Sequence, residues 1–381
     1  MVNETSQGST TSNDSLDSFA FIFHPIQIRK DVKRKYPFLG TVLPTPVINW
    51  ASQYFPPQYI SEIAGIRSQQ TGKPLKGWFL ATPFTPPTML RMPLERVYKR
   101  IVATGEVAER LGAKILGLGA FNSVVGDAGK TIAERLAVPV TTGDSYTVAV
   151  AVQALYYAAM RMQINPSQAT VAVVGATGAI GKACAQMLAK EVGRLALVGR
   201  RADAIQQVRE QCEGQRAQVS ASTDISDIYD ADLVLTVTSS VTAIIEPQHL
   251  KPGAVVLDVA RPRDVSQHVA RQRDDVLVVE GGMVEVPGDV NFNFDFGFPP
   301  GKAFGCMAET MALALEGRYE DYTIGRDLEI WRVEEINEIA TRHGFRLSGL
   351  RSFEHAIPES KIDAVLERAV QRRKKWSPAL S

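Results

Sequence analysis

Between residues 170 and 201 the chain runs apolar stretch, glycine turn, helical pattern, apolar stretch, in that order. The first apolar run, Val171 to Val174, breaks at Gly175, and Gly178 and Gly181 follow at three-residue spacing. The second run, Leu195 to Val198, ends in Gly199, Arg200 and Arg201. A strand–turn–helix–strand unit of this length is a right-handed parallel crossover, so it commits the surrounding chain to a parallel sheet covered by helices. Bare backbone at the start of the helix is also what a pyrophosphate needs, because exposed N–H groups and the helix dipole both favour an anion there. The expected dinucleotide loop is therefore Gly175, Thr177, Gly178, Ala179, Ile180 and Gly181. Its first gap is one residue longer than the commonest fingerprint, but the strand and helix on either side supply the confirming context.

The end of the second strand indicates which dinucleotide. An Asp or Glu there would bond a ribose 2′-hydroxyl. This chain places Arg200 and Arg201 instead, and two guanidiniums suit a 2′-phosphate. NADPH is the expected cofactor.

The remaining chain sets limits on partners and setting. A net charge of +1 over 381 residues gives no global reason to expect nucleic acid. Cations are nevertheless clustered, with Arg29, Lys30, Lys33, Arg34 and Lys35 near one end and Arg372, Arg373, Lys374 and Lys375 near the other. Such runs matter if the partner is acidic. Three cysteines, at 184, 212 and 306, form neither a disulfide framework nor a metal spacing, and no metal site is expected. A cytoplasmic setting fits. The longest apolar helical stretch, Val148 to Met162, is interrupted by Gln153 and too short to span a bilayer, so no transmembrane segment is expected.

The expected fold is α/β: an N-terminal α/β substrate domain, a Rossmann-type doubly wound parallel sheet and a helical C-terminal part. Residues 1–18, polar and rich in Ser, Thr and Asn, read as a disordered tail. The substrate domain covers 19–144, with strands at 19–23, 77–81, 114–118 and 138–142 and helices at 94–111 and 127–136. A linking helix occupies 145–167 and the nucleotide domain 168–303, with later strands at 232–238, 254–259 and 276–280. From 304 to 381 helices are expected at 306–316, 328–343 and 359–375, with no strand among them.

Cys306 opens the first of those helices. A thiol at a helix N-terminus meets the positive end of the dipole, which lowers its pKa and favours the nucleophilic thiolate. Phe292, Phe294, Phe296 and Phe298 alternate just before it, so an extended segment would line one face with rings, and an apolar channel ending at a nucleophile suits a fatty acyl group. Cys184 and Cys212 read as packing or incidental residues. Thr142, Gly143, Asp144 and Ser145 form a polar junction before an apolar helix; they could face the cleft, or Asp144 or Ser145 could simply cap the helix. His24 and His343 stand at element ends, where a lone histidine is either an acid/base or a capping residue.

Several motifs carry a resemblance: Gly119 to Ser123, Val140 to Thr147, Ala169 to Gly181, Gly281 to Glu285, Phe304 to Met311 and Arg342 to Phe345. In this order they resemble the cyanobacterial-type long-chain acyl-[acyl-carrier-protein] reductases, which make fatty aldehydes. The likeness covers about residues 19–350. It implies that Cys306 takes the acyl group as a thioester and that NADPH reduces it to the aldehyde. It also implies an acyl carrier protein or acyl-coenzyme A as substrate, with an aldehyde-consuming enzyme as a further partner. Asp144 stands where that family usually has Asn. A shikimate or methylene-folate type of two-domain dehydrogenase, without a covalent intermediate, and an NADP(H)-sensing binding protein are the competing readings.

Overall fold

The computed structural model describes residues 16–376 apart from 26, 27, 298 and 354. Most of the expected tail, and Phe298, lie outside the described residues. Ser18 is already the first residue of a buried strand.

Along the chain run β1 (Ser18–Phe23), α1 (Ile28–Lys35), α2 (Pro37–Val42), α3 (Thr45–Ser52), β2 (Gln58–Arg67) and β3 (Pro74–Ala81). Next come α4 (Pro86–Arg91), α5 (Leu94–Leu111), β4 (Leu116–Leu118), α6 (Phe121–Val124), α7 (Lys130–Glu134) and β5 (Val140–Thr141). Helix α8 (Asp144–Arg161) leads into β6 (Thr170–Val174), α9 (Ala179–Ala189), β7 (Arg194–Val198), α10 (Ala202–Cys212) and β8 (Gln218–Ser222). The alternation continues through β9 (Leu233–Thr236), β10 (Val255–Asp258), α11 (Gln267–Gln272) and β11 (Leu277–Glu280). After them stand β12 (Met283–Glu285), β13 (Gly288–Asn291), β14 (Lys302–Phe304), α12 (Gly305–Glu316), α13 (Ile330–His343) and α14 (Glu359–Arg373).

Two six-stranded sheets result. The second has the order β11-β10-β9-β6-β7-β8, and every pair in it is parallel. Numbered from β6, that is the doubly wound order 3-2-1-4-5-6, which leaves a crevice where β6 and β9 diverge. Its central strands are buried on both faces, which is why they read as continuous apolar runs rather than alternating ones. The first sheet has the order β13-β2-β3-β1-β4-β5. Strands β3, β1, β4 and β5 are parallel, whereas β2 and β13 pair antiparallel. The chain therefore returns to the first sheet after completing the second.

Helix α5 buries Val97, Tyr98, Ile101, Thr104, Gly105 and Ala108, one stripe at helical spacing, and stops at left-handed Gly112. Helix α8 is apolar on most of its surface because it lies between layers: a single core joins Phe79 of the first sheet, Val148 to Val152, Ala154, Leu155, Ala158 and Ala159 of the helix, and Val171 and Leu257 of the second sheet. Among the described residues no helix is long and apolar enough to cross a membrane.

Two expectations need correction. The C-terminal part is not purely helical, since β14 and Arg346–Leu347 flank β12 and Arg351–Ser352 pairs with His355–Ala356. Pairings two or three residues long are too short to leave a period in the sequence. Residues 292–297 are not an extended strand either, because Asn293 and Gly297 take positive φ values of 49° and 82°. Phe292, Phe294 and Phe296 still turn inward, onto Phe23 and Phe79.

Phe79 is fully buried and meets Phe21, Phe23, Phe292 and Phe296 edge-on or tilted at 4.6–6.4 Å. Phe79→Ala is expected to lower stability by about 3–5 kcal/mol, read as an earlier midpoint at unchanged slope in urea unfolding.

Candidate active site

Two helices begin at one point. Gly143, left-handed at φ 76°, is the N-cap of α8, and a β-carbon there would overlap the backbone and β-carbon of Cys306. No side chain larger than hydrogen fits, so glycine brings the start of α8 against the second residue of α12. Neither Asp144 nor Ser145 serves as the cap. That task falls to Glu309, one turn along α12. Its carboxylate accepts the Tyr146 N–H (2.8 Å) and the hydroxyls of Thr141 (2.5 Å) and Thr323 (2.7 Å). Sequence reading missed Glu309, although a lone carboxylate in the apolar run Cys306 to Leu315 was the signal. Burial pushes its pKa up against those hydrogen bonds.

Asp144, the first residue of α8, is buried and lines the cavity beside Cys306. Burial, then the charge of Glu309, raise its pKa to about 8, so it is a neutral carboxylic acid at pH 7. The expected thiolate at Cys306 is corrected as well. Burial, then repulsion from Asp144, push the thiol up to about 12, while the backbone N–H groups of Met307 and Ala120 work the other way without prevailing. Loss of hydration outweighs the helix dipole here, although Cys306 is half-buried and keeps part of its surface on the cavity. Ala120 holds φ 51° and ψ −127°, a strained conformation for a residue with a β-carbon, and one found preferentially at functional sites.

His24 is no free acid or base. Its Nε2 accepts the Phe121 N–H at 2.8 Å, its Nδ1 lies 3.1 Å from the Pro25 carbonyl, and burial lowers its pKa to about 4. His343 is buried between Ser68 (2.8 Å) and Glu316 (2.7 Å) and does not line the cavity. Cys184 and Cys212 are buried in the core, and burial raises both thiols.

On the other side lies the glycine loop. Gly178 is the N-cap of α9 with no side chain bonded over it, and Gly175, Thr177, Gly178, Ala179, Ile180 and Gly181 all line the cavity. A β-carbon at Gly181 would overlap the Gly175 carbonyl, so the turn is as tight as a phosphate cradle requires. The side chains of Arg200 and Arg201, exposed at the end of β7, make no hydrogen bond or ion pair among the described residues. An open helix start with two unengaged guanidiniums beyond it fits NADP(H).

These parts share one continuous cavity of about 1890 Å³, from Arg200 and Arg201 over the glycine loop to Cys306 and on past Phe23, Phe294 and Phe296 to Ile48. That is roughly twice the upper end of an ordinary small-ligand pocket, about 1,000 Å³. A dinucleotide and a second, apolar ligand can occupy it together. Of the two basic clusters, α1 borders this cavity. Arg372 instead pairs with Asp274 and Asp275, and Arg373 bonds the Pro252 and Gly253 carbonyls, which pins α14 to the second sheet.

The family model described as shikimate / quinate 5-dehydrogenase matches residues 157–280, the region of the second sheet. The aminotransferase PigE of Serratia sp. is 34% identical over 273 residues, 70% of this chain, and the chain spans about a third (32%) of that protein. The long-chain acyl-[acyl-carrier-protein] reductase of Synechococcus elongatus is 28% identical over 313 residues, 78% of this chain and 89% of that protein. Among solved structures, L-tryptophan dehydrogenase from Nostoc punctiforme aligns over 95% of this chain and 89% of its own at 12% identity and a TM-score of 0.40. The second sheet and its loop make an NAD(P)-dependent oxidoreductase fold.

With its thiol near 12, Cys306 is expected to react slowly with iodoacetamide at pH 7 and progressively faster up to at least pH 10. Mass spectrometry of the modified peptide reads this, and a rate that levels off below pH 8 would contradict the burial argument.

Proposed function

We propose that the protein is an NADPH-dependent reductase that takes a fatty acyl group from a carrier thioester onto Cys306 and releases it as the aldehyde. The observation that carries this reading is the continuity of the cavity, which joins Arg200 and Arg201, the glycine loop, Cys306 and an apolar passage. The similarity to the Synechococcus reductase over 89% of that protein supports it. In this reading the second sheet, within residues 168–303, holds the cofactor, 19–144 together with Phe292 to Phe296 form the acyl side and 145–167 link them.

Gly175 to Gly181 would hold the pyrophosphate of NADPH and Arg200 and Arg201 its 2′-phosphate; when bound, the cofactor would supply a hydride to the acyl carbon. Cys306 adds to the incoming thioester, a new sulfur–acyl bond forms, the bond to the carrier sulfur breaks, and the thiol proton ends on the departing carrier thiol. Reduction puts negative charge on the acyl oxygen before the Cys306 sulfur leaves. The backbone N–H groups of Ala120 and Met307, which point at the Cys306 sulfur, would stabilise that charge in this reading. Protonated Asp144 adds an O–H donor, in the place where the resembling family usually has an Asn amide. A neutral Asp and an Asn are equivalent there, whereas an ionised Asp would repel the oxyanion.

A shikimate-type dehydrogenase is the second reading, favoured by the family match at 157–280. That match touches only the nucleotide half. The other half presents Phe23, Phe294, Phe296 and Ile48, surfaces suited to a hydrocarbon rather than a polyhydroxy acid.

Cys306→Ser is expected to abolish aldehyde formation and covalent labelling by radiolabelled acyl thioester while NADPH still binds. Label on a residue other than Cys306, or turnover without label, refutes the covalent route. Replacing Arg200 and Arg201 with Ser should erode the NADPH-over-NADH ratio of kcat/KM at least tenfold, since a charge-assisted bond contributes roughly 1.5–3 kcal/mol.

The pH dependence follows from Asp144. Its raised pKa leaves the donor form present below about pH 8 and lost above it, so kcat should fall as pH rises through 8. Asp144→Asn should keep neutral-pH activity within about threefold and flatten that fall. A variant inactive at every pH, though folded, counts against the donor role.

A further inference from the structure

The inserted unit α1–α3 with the loop to β2 has the character of an interfacial anchor. No Asp, Glu, Lys, Arg or His occurs from Tyr36 to Ser61. Yet this stretch is strongly exposed at large apolar side chains: Phe38 at 76%, Tyr54 at 64%, Trp50 at 63% and Val42 at 58%. Monomeric proteins rarely leave such a run in water, and a mixture of Trp, Tyr and Phe is what sits at the boundary between lipid headgroups and acyl chains. The inner side of the same unit is spoken for, because Ile48, Leu43 and Phe55 line the cavity. Its outer side therefore lies next to the cavity wall with no described residue covering it.

Charge decides the occupant. Helix α1, which packs on α2 and α3, carries Arg29, Lys30, Lys33, Arg34 and Lys35 against a single Asp31. A second copy docking by two-fold symmetry would bring this cationic helix towards its own equivalent. An acidic protein would meet the cations but leave the aromatic residues unmatched. An anionic bilayer answers both, with phosphates for α1 and the acyl boundary for Phe38, Trp50 and Tyr54.

We infer that α1–α3 docks this protein on anionic lipid surfaces, with the cavity mouth facing the bilayer. Docking stands on exposure and charge alone. The further consequence, that a fatty aldehyde leaves into lipid rather than water, rests on the proposed function.

The experiment uses the full chain with large unilamellar vesicles of phosphatidylcholine and phosphatidylglycerol (about 7:3), against phosphatidylcholine alone. The protein is expected to cosediment with the anionic vesicles, at least tenfold more weakly on pure phosphatidylcholine or at high salt. Phe38→Ser with Trp50→Ser should weaken binding at least tenfold while turnover of soluble acyl-coenzyme A is unchanged, since neither residue lines the cavity. Lipids brominated near the headgroup should quench part of the tryptophan emission, and Trp50→Phe should remove that quenching while retaining binding. Wild-type protein that stays in the supernatant overturns the proposal. So does equal binding by the double variant, or a dimer that the double variant dissociates in the absence of any vesicle binding. Loss of turnover with vesicle binding intact would instead count against the reductase reading alone.

Discussion

One buried carboxylate holds the centre of this molecule together. Glu309 is fully buried, and its hydrogen-bond partners are the start of α8 and two hydroxyls, Thr141 and Thr323, from flanking segments. The first N–H groups of a helix have no partners of their own, and α8 starts on a glycine that offers no side chain. A negative group from α12 supplies both a hydrogen-bond acceptor and a charge of the right sign for the dipole. The result clamps α8, which ties the two sheets, to α12, which carries Cys306. Remove the carboxylate and the α8 terminus, Asp144 and the sulfur lose their mutual register.

The same buried charge shapes its surroundings. It raises Asp144 and, through burial shared by all three groups, leaves the site electrically quiet: a neutral acid and a neutral thiol. Arg200 and Arg201 mark one end of the cavity and α1 borders the other, with Phe23, Phe294 and Phe296 on the way between them. Ligands entering from either end thus meet cations first and hydrocarbon later.

Much of the frame was legible in the residues because its signals are local. The βαβ unit at 170–201, the α5 stripe ending at Gly112 and the apolar α8 each declare themselves within one element. What escaped depends on contacts distant in sequence. Strand β2 carries Gly65 and a broken alternation, and pairs with β3 through irregular register. Helices α2 and α3 expose Phe38, Val42, Val47 and Trp50, which confuses any inside-outside pattern. At the site, the glycine turn at the start of α9 and the position of Cys306 at the start of α12 could be read directly, whereas the protonation of the thiol could not. It depends on how deeply Asp144 and Glu309 are sealed around it, which only the packing of α8 on α12 determines.

The return of β13 to the first sheet has a mechanical consequence. The backbone crosses between the sheets at α8, again from β11 through β12 to β13, and once more when α14 reaches back to Gly253 and Asp275. A body strapped three times can swing only about a line that the straps share. Cys306 touches the beginning of the first strap. The sulfur therefore sits on the segment that both sheets share, and its position is set by the two halves together rather than by either alone.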